Sequence, residues 1–181
     1  MDALVSTDLP MPEPGRPQPA TLLRPMRREA YPAYLEAAIA AYAEENVTAG
    51  RWPETGALER SREDFRSLLA DGLDTAGNHL FEIFEEGAGP SVGFLWCAIE
   101  TKHGACTAFV YDLELRPEHR RRGHASRALQ RLESIVADAG ATSIGLNVFA
   151  NNPGAQALYR KLAYAPTNIQ MRKPLTGGAA K

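Results

Sequence analysis

The chain has almost no sulfur chemistry to offer. Its 181 residues hold two cysteines, Cys97 and Cys106, too few for the disulfide framework of a small secreted domain and without the paired spacing of a zinc-binding fold. Both fall in strand-like segments and read as inert core thiols, so neither a disulfide nor a metal is expected. A run of about 18 apolar residues, the least a membrane span needs, is also missing. No signal-peptide pattern opens the sequence, and a reducing cytoplasm is the expected location. Charge of one sign is lacking too: Lys and Arg number 20 against 22 Asp and Glu, a formal net charge of −2. A dedicated nucleic-acid binder carries a marked basic excess, so neither nucleic acid nor a membrane is an expected partner.

What is present reads as one globular domain with a tail on either side. Residues 1–20 hold five prolines, at positions 10, 12, 14, 17 and 19, and too little apolar surface to offset the entropy of ordering, which predicts a flexible tail. A domain is expected over 21–174, and a short tail over 175–181. A strand at Leu22–Arg27 leads into a helix carrying Tyr31, Tyr34, Leu35, Ala38, Ile39 and Tyr42 at helical spacing, with Pro32 tolerated in its first turn. Leu58, Phe65, Leu68 and Leu69 mark a second helix ending near Gly72. Three strands joined by short glycine-containing turns follow, about 80–84, 91–100 and 107–115, an antiparallel meander.

The stripe Ala125, Ala128, Leu129, Leu132, Ile135, Val136 and Ala139 fits an amphipathic helix without a gap. A strand with alternating Ile144, Leu146 and Val148 comes next. Asn152-Pro153 then supplies a cap and first-turn proline for a helix with Leu158, Tyr159 and Leu162. A last strand is expected at Ile169–Lys173. The fold class is therefore α/β (α+β): a mixed, mostly antiparallel central sheet flanked by about four helices, with a strand–helix–strand crossover making the strands at 107–115 and 143–149 parallel.

At that crossover the strand runs through Arg120, Arg121 and Arg122 into Gly123 and straight into a helix. A glycine here permits a conformation closed to other residues, and the first amides of a helix together with its dipole make an anion site. The spacing Arg120-x-x-Gly123-x-Ala125, placed after a strand and before a helix, is a phosphate-cradle pattern.

"LELRPEHRRRGHASRAL", followed by "NVFANNPGAQALYRKLAY", resembles the GNAT superfamily of acetyl-CoA-dependent N-acetyltransferases, over roughly residues 21–173. The resemblance implies that the amides from Arg121 through Arg122, Gly123, His124 and Ala125 to Ser126 hold the pyrophosphate of coenzyme A. It implies too that the strand backbone near Leu113 and Leu115 pairs with the pantetheine arm, the amide near Leu115 polarising the thioester carbonyl. Asn152 matches an asparagine that contacts the cofactor, though a plain helix cap is an equal reading. Tyr159 matches the tyrosine that protonates the departing thiolate. Ala163 stands where the family has glycine, and His124, where it has a small or aliphatic residue, is expected to point outward.

The general base is the departure. The positions aligned with the family's strand carboxylate hold Phe109 and Tyr111, and regular alternation puts Asp112 and Glu114 on the opposite face, unless a bulge intervenes. Tyr111 and Asp112 are the candidates, with Glu114 behind them. For the acceptor, "YAEENVTAGRWP" offers Glu44, Glu45 and Trp52 as an acidic and aromatic pocket for a cationic amine.

The resemblance thus implies an enzyme moving an acetyl group to a primary amine of a small molecule or peptide by direct attack. Two other classes compete. One is a catalytically inactive acyl-CoA sensor or interaction module of the same fold, favoured by the missing strand carboxylate. The other is a nucleic-acid binder using Arg120–Arg122, Arg160 and Lys161, against which stands the lack of any aromatic between 118 and 131. An edge strand at the C-terminus would allow a homodimer.

Overall fold

The computed structural model describes residues 20–87 and 89–173. The expected tails lie outside these residues, save for Ala20. Five strands form one sheet in the order β1-β2-β3-β4-β5: β1 Thr21–Pro25, β2 Asn78–Glu85, β3 Gly93–Lys102, β4 Ala105–Leu115 and β5 Ser143–Leu146. The first three pairings are antiparallel and β4–β5 is parallel. Four helices complete the fold: α1 Tyr31–Thr48, α2 Ala57–Leu68, α3 His124–Asp138 and α4 Pro153–Lys161. A 3-10 turn, Pro117–His119, joins β4 to α3.

The two faces of the sheet bury two cores, because successive side chains of a strand point to opposite sides. Ile83, Leu95, Cys97, Ala108 and Val110 pack against Ala128, Leu129, Leu132 and Val136 of α3. On the other face Leu80 and Trp96 pack against Tyr34, Ala38 and Ile39 of α1 and Phe65 of α2. The α3 stripe is narrower than its sequence suggests, since Ile135 is 40 % exposed.

Cys97 and Cys106 are free thiols at opposite ends of one hairpin, facing Val110 and Thr101 respectively. Burial pushes the Cys97 thiol up to about 12, which makes it unreactive.

The expected last strand does not form. Residues 169–173 have no regular structure, and Ile169 and Met171 are 76 % and 90 % exposed. Apolar alternation supplies one face of a strand, but a strand exists only by pairing, and this segment has no partner among the described residues. β5 also stops short, leaving Val148 outside it.

Candidate active site

The site begins where β4 loses one of its neighbours. β5 pairs with β4 only from Thr107 to Val110, while β3 accompanies β4 to Leu115. Beyond Val110 the edge of β4 that faced β5 has no ladder partner. The Arg116 amide donates to the Val92 carbonyl on the β3 side, so alternation turns the Leu115 and Leu113 amides toward the opening.

A β-bulge falls at the same point. Trp96 faces Asp112 and Cys97 faces Val110, leaving Tyr111 as the extra residue. Two consecutive side chains thereby reach the α1 face. Tyr111 stacks on Trp96 with ring centroids 4.5 Å apart, and Tyr34 Oη donates to Asp112 Oδ2 at 3.0 Å. The strict alternation that would have set Asp112 opposite Tyr111 is broken. Leu113 and Leu115 return to the α3 core, and Glu114 lines a cleft with Ala33, Tyr34, Ala37 and Phe94.

Burial raises the Asp112 carboxyl to about 6, reinforced by the charges of Glu114 and Glu45 and opposed by hydrogen bonds from Tyr34 and the Leu113 amide. Burial raises Glu45 in its turn, with Glu114 and Glu44 adding to the shift. Tyr159, on α4, is raised first by burial and then by the charges of Asp112 and Glu45, so its phenol keeps its proton at neutral pH. Tyr111 is likewise raised by burial, which favours an aromatic wall over a base. The helices α1 and α4 thus bring Glu45 and Tyr159 into the electrostatic field of Asp112.

Trp52 lies half-buried in the α1–α2 loop. Its ring stands edge-on to Tyr42 at 5.3 Å and beneath the Arg60 guanidinium at 5.5 Å, contacts that pin the α1–α2 loop. That loop reaches across the molecule, with Arg51 lying 5.6 Å over the Phe149 ring after β5. Glu44 is exposed at the helix end.

The turn at Gly123 has the strand-to-helix backbone that the sequence predicts. Gly123 is the N-cap of α3 with φ 80°, in the left-handed region, and no side chain caps the helix. The amides of His124, Ala125 and Ser126 have no intrahelical acceptor, and the Arg127 amide is bonded to the Gly123 carbonyl. Arg121 also has a positive φ, 63°, which curls the turn tightly. All three arginines are exposed, and Arg120 folds back so that its Nε donates to the Leu115 carbonyl at 2.9 Å.

His124 does not point outward. It is 1 % exposed and turned under the helix, with Nδ1 3.0 Å from Thr21 Oγ1. Burial lowers its pKa, so the ring is neutral at neutral pH. The small residue expected there is replaced by a side chain with somewhere to go, a polar niche against β1. Asn152 is exposed and caps α4, accepting from the Ala155 amide at 3.0 Å. Ala163, the other departure, has φ 66°, the conformation in which a glycine costs least. Tyr34 and Glu114 are the residues that sequence reasoning undervalued. Tyr34 sits on the apolar stripe of α1, and its hydroxyl partner lies on a strand 78 positions away.

A parallel strand pair that parts beyond Val110, an uncapped helix and a buried carboxylate bonded to a phenol make up the candidate site. Comparison with known proteins gives the family. The model of the Acetyltransferase (GNAT) family matches residues 40–164. The chain is 35 % identical over 156 residues to the uncharacterized N-acetyltransferase YdgE of Bacillus subtilis, covering 86 % of this chain and 99 % of that one. It is 35 % identical over 154 residues to the uncharacterized N-acetyltransferase YycN of the same organism. The crystal structure of YycN superposes with a TM-score of 0.82 at 34 % identity, covering 87 % of this chain and 100 % of that one. This chain belongs to the GNAT acetyltransferase family. No helix among the described residues is long and apolar enough to cross a membrane.

Proposed function

We propose that this chain is an N-acetyltransferase that moves an acetyl group from acetyl-CoA to a primary amine of a small molecule or peptide by direct attack, without a covalent enzyme intermediate. The observation that carries the reading is the coincidence at one end of β4. A strand edge without a β5 partner beyond Val110 leads to an uncapped helix N-terminus, beside a carboxylate whose pKa is about 6.

The residues fit acetyl-CoA. The amides from Arg121 to Ser126, at the uncapped start of α3, would seat the pyrophosphate, and Arg121 and Arg122 add positive charge at that turn. The edge of β4 at Leu113 and Leu115 offers main-chain groups to an amide-bearing pantetheine arm, and the Leu115 amide serves as the carbonyl donor. Asn152, exposed and capping α4, keeps its side-chain amide free to contact the cofactor. When bound, acetyl-CoA supplies an acyl carbon activated by its thioester.

The chemistry left to the protein is proton transfer. An amine attacks only when neutral, and Asp112 Oδ accepts its proton; a carboxylate with pKa near 6 is ionised at pH 7 and more basic than an ordinary aspartate. Glu45 and Glu114 attract a cationic acceptor by their charge. Tyr159 Oη holds a proton at neutral pH and delivers it to the departing thiolate. Tyr111, stacked on Trp96, gives the reacting end of β4 an aromatic surface, and Trp52 steadies the α1–α2 loop.

The test is calorimetric titration with acetyl-CoA and coenzyme A, followed by thiol release against polyamines, amino acids, aminoglycosides and peptide N-termini. Binding with turnover on one amine class is the expected result. Binding with turnover of none would replace the enzyme by an acyl-CoA sensor. Absence of binding would overturn the cradle.

A further inference from the structure

Beneath the cradle lies a cluster that acetyl transfer leaves unused. Glu85 ends β2, His119 ends the 3-10 turn and His124 opens α3. His124 Nε2 is 3.8 Å and His119 Nδ1 3.9 Å from the same oxygen, Glu85 Oε2. These three atoms all lie within 4.8 Å of one another. Both ring nitrogens are buried and have no hydrogen-bond partner. Leaving such groups unsatisfied costs roughly 1–3 kcal/mol each, and a plain ion pair would have closed to hydrogen-bond distance. Two imidazoles and a carboxylate facing inward without touching are arranged around something else.

We propose that Glu85, His119 and His124 form a divalent transition-metal site, best suited to Zn2+, which ties the end of β2 to both sides of the turn that carries Arg120–Gly123. Two nitrogens and one oxygen suit zinc in kind and number, with a fourth position left to water. With metal–ligand bonds of about 2.0–2.1 Å, tetrahedral ligands stand roughly 3.3–3.4 Å apart. The cluster therefore needs a contraction of about half an ångström along each Glu85–His separation and of up to about 1.5 Å between the two histidine nitrogens, a movement assigned to the short turn bearing His119.

A second shell lies close by: His124 Nδ1 is 3.0 Å from Thr21 Oγ1 and 3.3 Å from Arg127 Nη2. With metal on Nε2 the ring proton would move to Nδ1 and be donated to Thr21 Oγ1, the Arg127 guanidinium turning aside, and such a partner fixes the tautomer and orientation of a ligating histidine. Thr21 is itself held by Arg127, whose Nε donates to Oγ1 at 2.8 Å and whose Nη2 donates to the Arg122 carbonyl at 2.9 Å. The three ligands come from three separate elements, so the metal would act as a cross-link, and the inference does not depend on the acetyl-transfer reading.

The experiment strips the full-length chain with a chelator and titrates it with Co2+, following the visible ligand-field band, then displaces Co2+ with Zn2+. One equivalent is expected to bind, and Zn2+ is expected to raise Tm because it binds the folded state. Thr21→Val should weaken Co2+ binding by roughly 10- to 100-fold, as loss of a second-shell partner does. His119→Ala and Glu85→Gln should weaken it by at least about 100-fold and abolish the Zn2+ effect on Tm, with circular dichroism showing both variants folded. His79→Ala and His103→Ala, the other two histidines of the chain, should bind as the wild type does. A wild-type titration without a saturable band would overturn the site, and so would a band that survives unchanged in His119→Ala and Glu85→Gln.

Discussion

From Thr107 to Val110, β4 is paired on both sides, to β3 and to β5, and its buried residues, Ala108 and Val110, enter the α3 core. From Tyr111 to Leu115 the same strand is paired on one side only, is shifted by a bulge, and turns Tyr111, Asp112 and Glu114 toward α1. Pairing on both edges consumes every backbone group and fixes which side chains are dry. Where one neighbour ends, main-chain groups become available to a ligand, and acidic side chains sit half-buried where their charge is costly. The first half of β4 supplies packing, and the second half carries the groups proposed for chemistry.

Substitutions can separate the halves. Asp112→Asn is expected to have the largest effect, lowering kcat/KM by roughly 1,000-fold, within the range for general-base catalysis. An aliphatic ammonium titrates near pH 10 and must lose its proton to attack. The effect on stability has the opposite sign. The folded-state pKa of Asp112, about 6, lies above the ordinary value of about 3.9, so ionisation is disfavoured in the folded chain. The group therefore destabilises above pH 6, and stability recovers as pH falls through 6 toward 4. Asparagine removes that cost at neutral pH, so stability should rise, by about 3 kcal/mol at most, and Tm with it. In the wild type, kcat/KM should fall tenfold per unit below pH 6. A variant that loses Tm along with activity would deny Asp112 its place in the reactive half.

Tyr159→Phe should cost less, roughly 100-fold in kcat, because a thiolate is a fair leaving group without help, its conjugate acid titrating near 8.5. Coenzyme A affinity by calorimetry should be unchanged, and unaltered turnover would make Tyr159 a packing residue. Val110→Ala tests the other half. Loss of two methyl groups from a residue 4 % exposed should cost about 2 kcal/mol of stability in denaturant titration, with kcat unaltered at a temperature where the variant is folded. A drop in kcat as large as that of Tyr159→Phe would mean the halves are not separable.

The parts of this division that depend on local pattern were legible in the sequence. The meander, the α3 stripe and the Gly123 turn follow from period, turn residues and the needs of a helix N-terminus. The parts that depend on pairing were not. A bulge is a relation between Trp96, Cys97 and their partners across the hairpin, so nothing within β4 announces that Asp112 shares a face with Tyr111. The same holds for residues 169–173, whose alternation implies a strand that pairing does not supply. His124 is instructive because its identity was visible and its direction was not. The niche that takes it is built by Thr21 and Glu85, far off in sequence, and a departure from family pattern marked the position without revealing its partner. Ala163 was marked in the same way, and there the left-handed φ expected of a glycine is present without the glycine.

The finest test of the comparison is Tyr34→Phe, which changes one hydroxyl. Tyr34 is 1 % exposed and its ring contacts Phe94 at 5.3 Å; phenylalanine keeps that packing and removes only the donor to Asp112 Oδ2. The bond favours the ionised carboxylate, so its loss raises the Asp112 pKa further above 6. A hydrogen bond to a charged group is worth about 1.5 kcal/mol and one pKa unit about 1.4 kcal/mol, so the acid limb of the kcat/KM profile should move up by about one pH unit. At pH 9, where Asp112 is ionised in both proteins, the rates should converge to within a factor of about 2, because one lost unit of pKa alters the fraction ionised far more than it alters a transition state. A uniform loss of rate at every pH would show that the hydroxyl acts by holding structure. A limb that stays in place would mean that the base is not Asp112, and that the bulge exposes a carboxylate the reaction does not use.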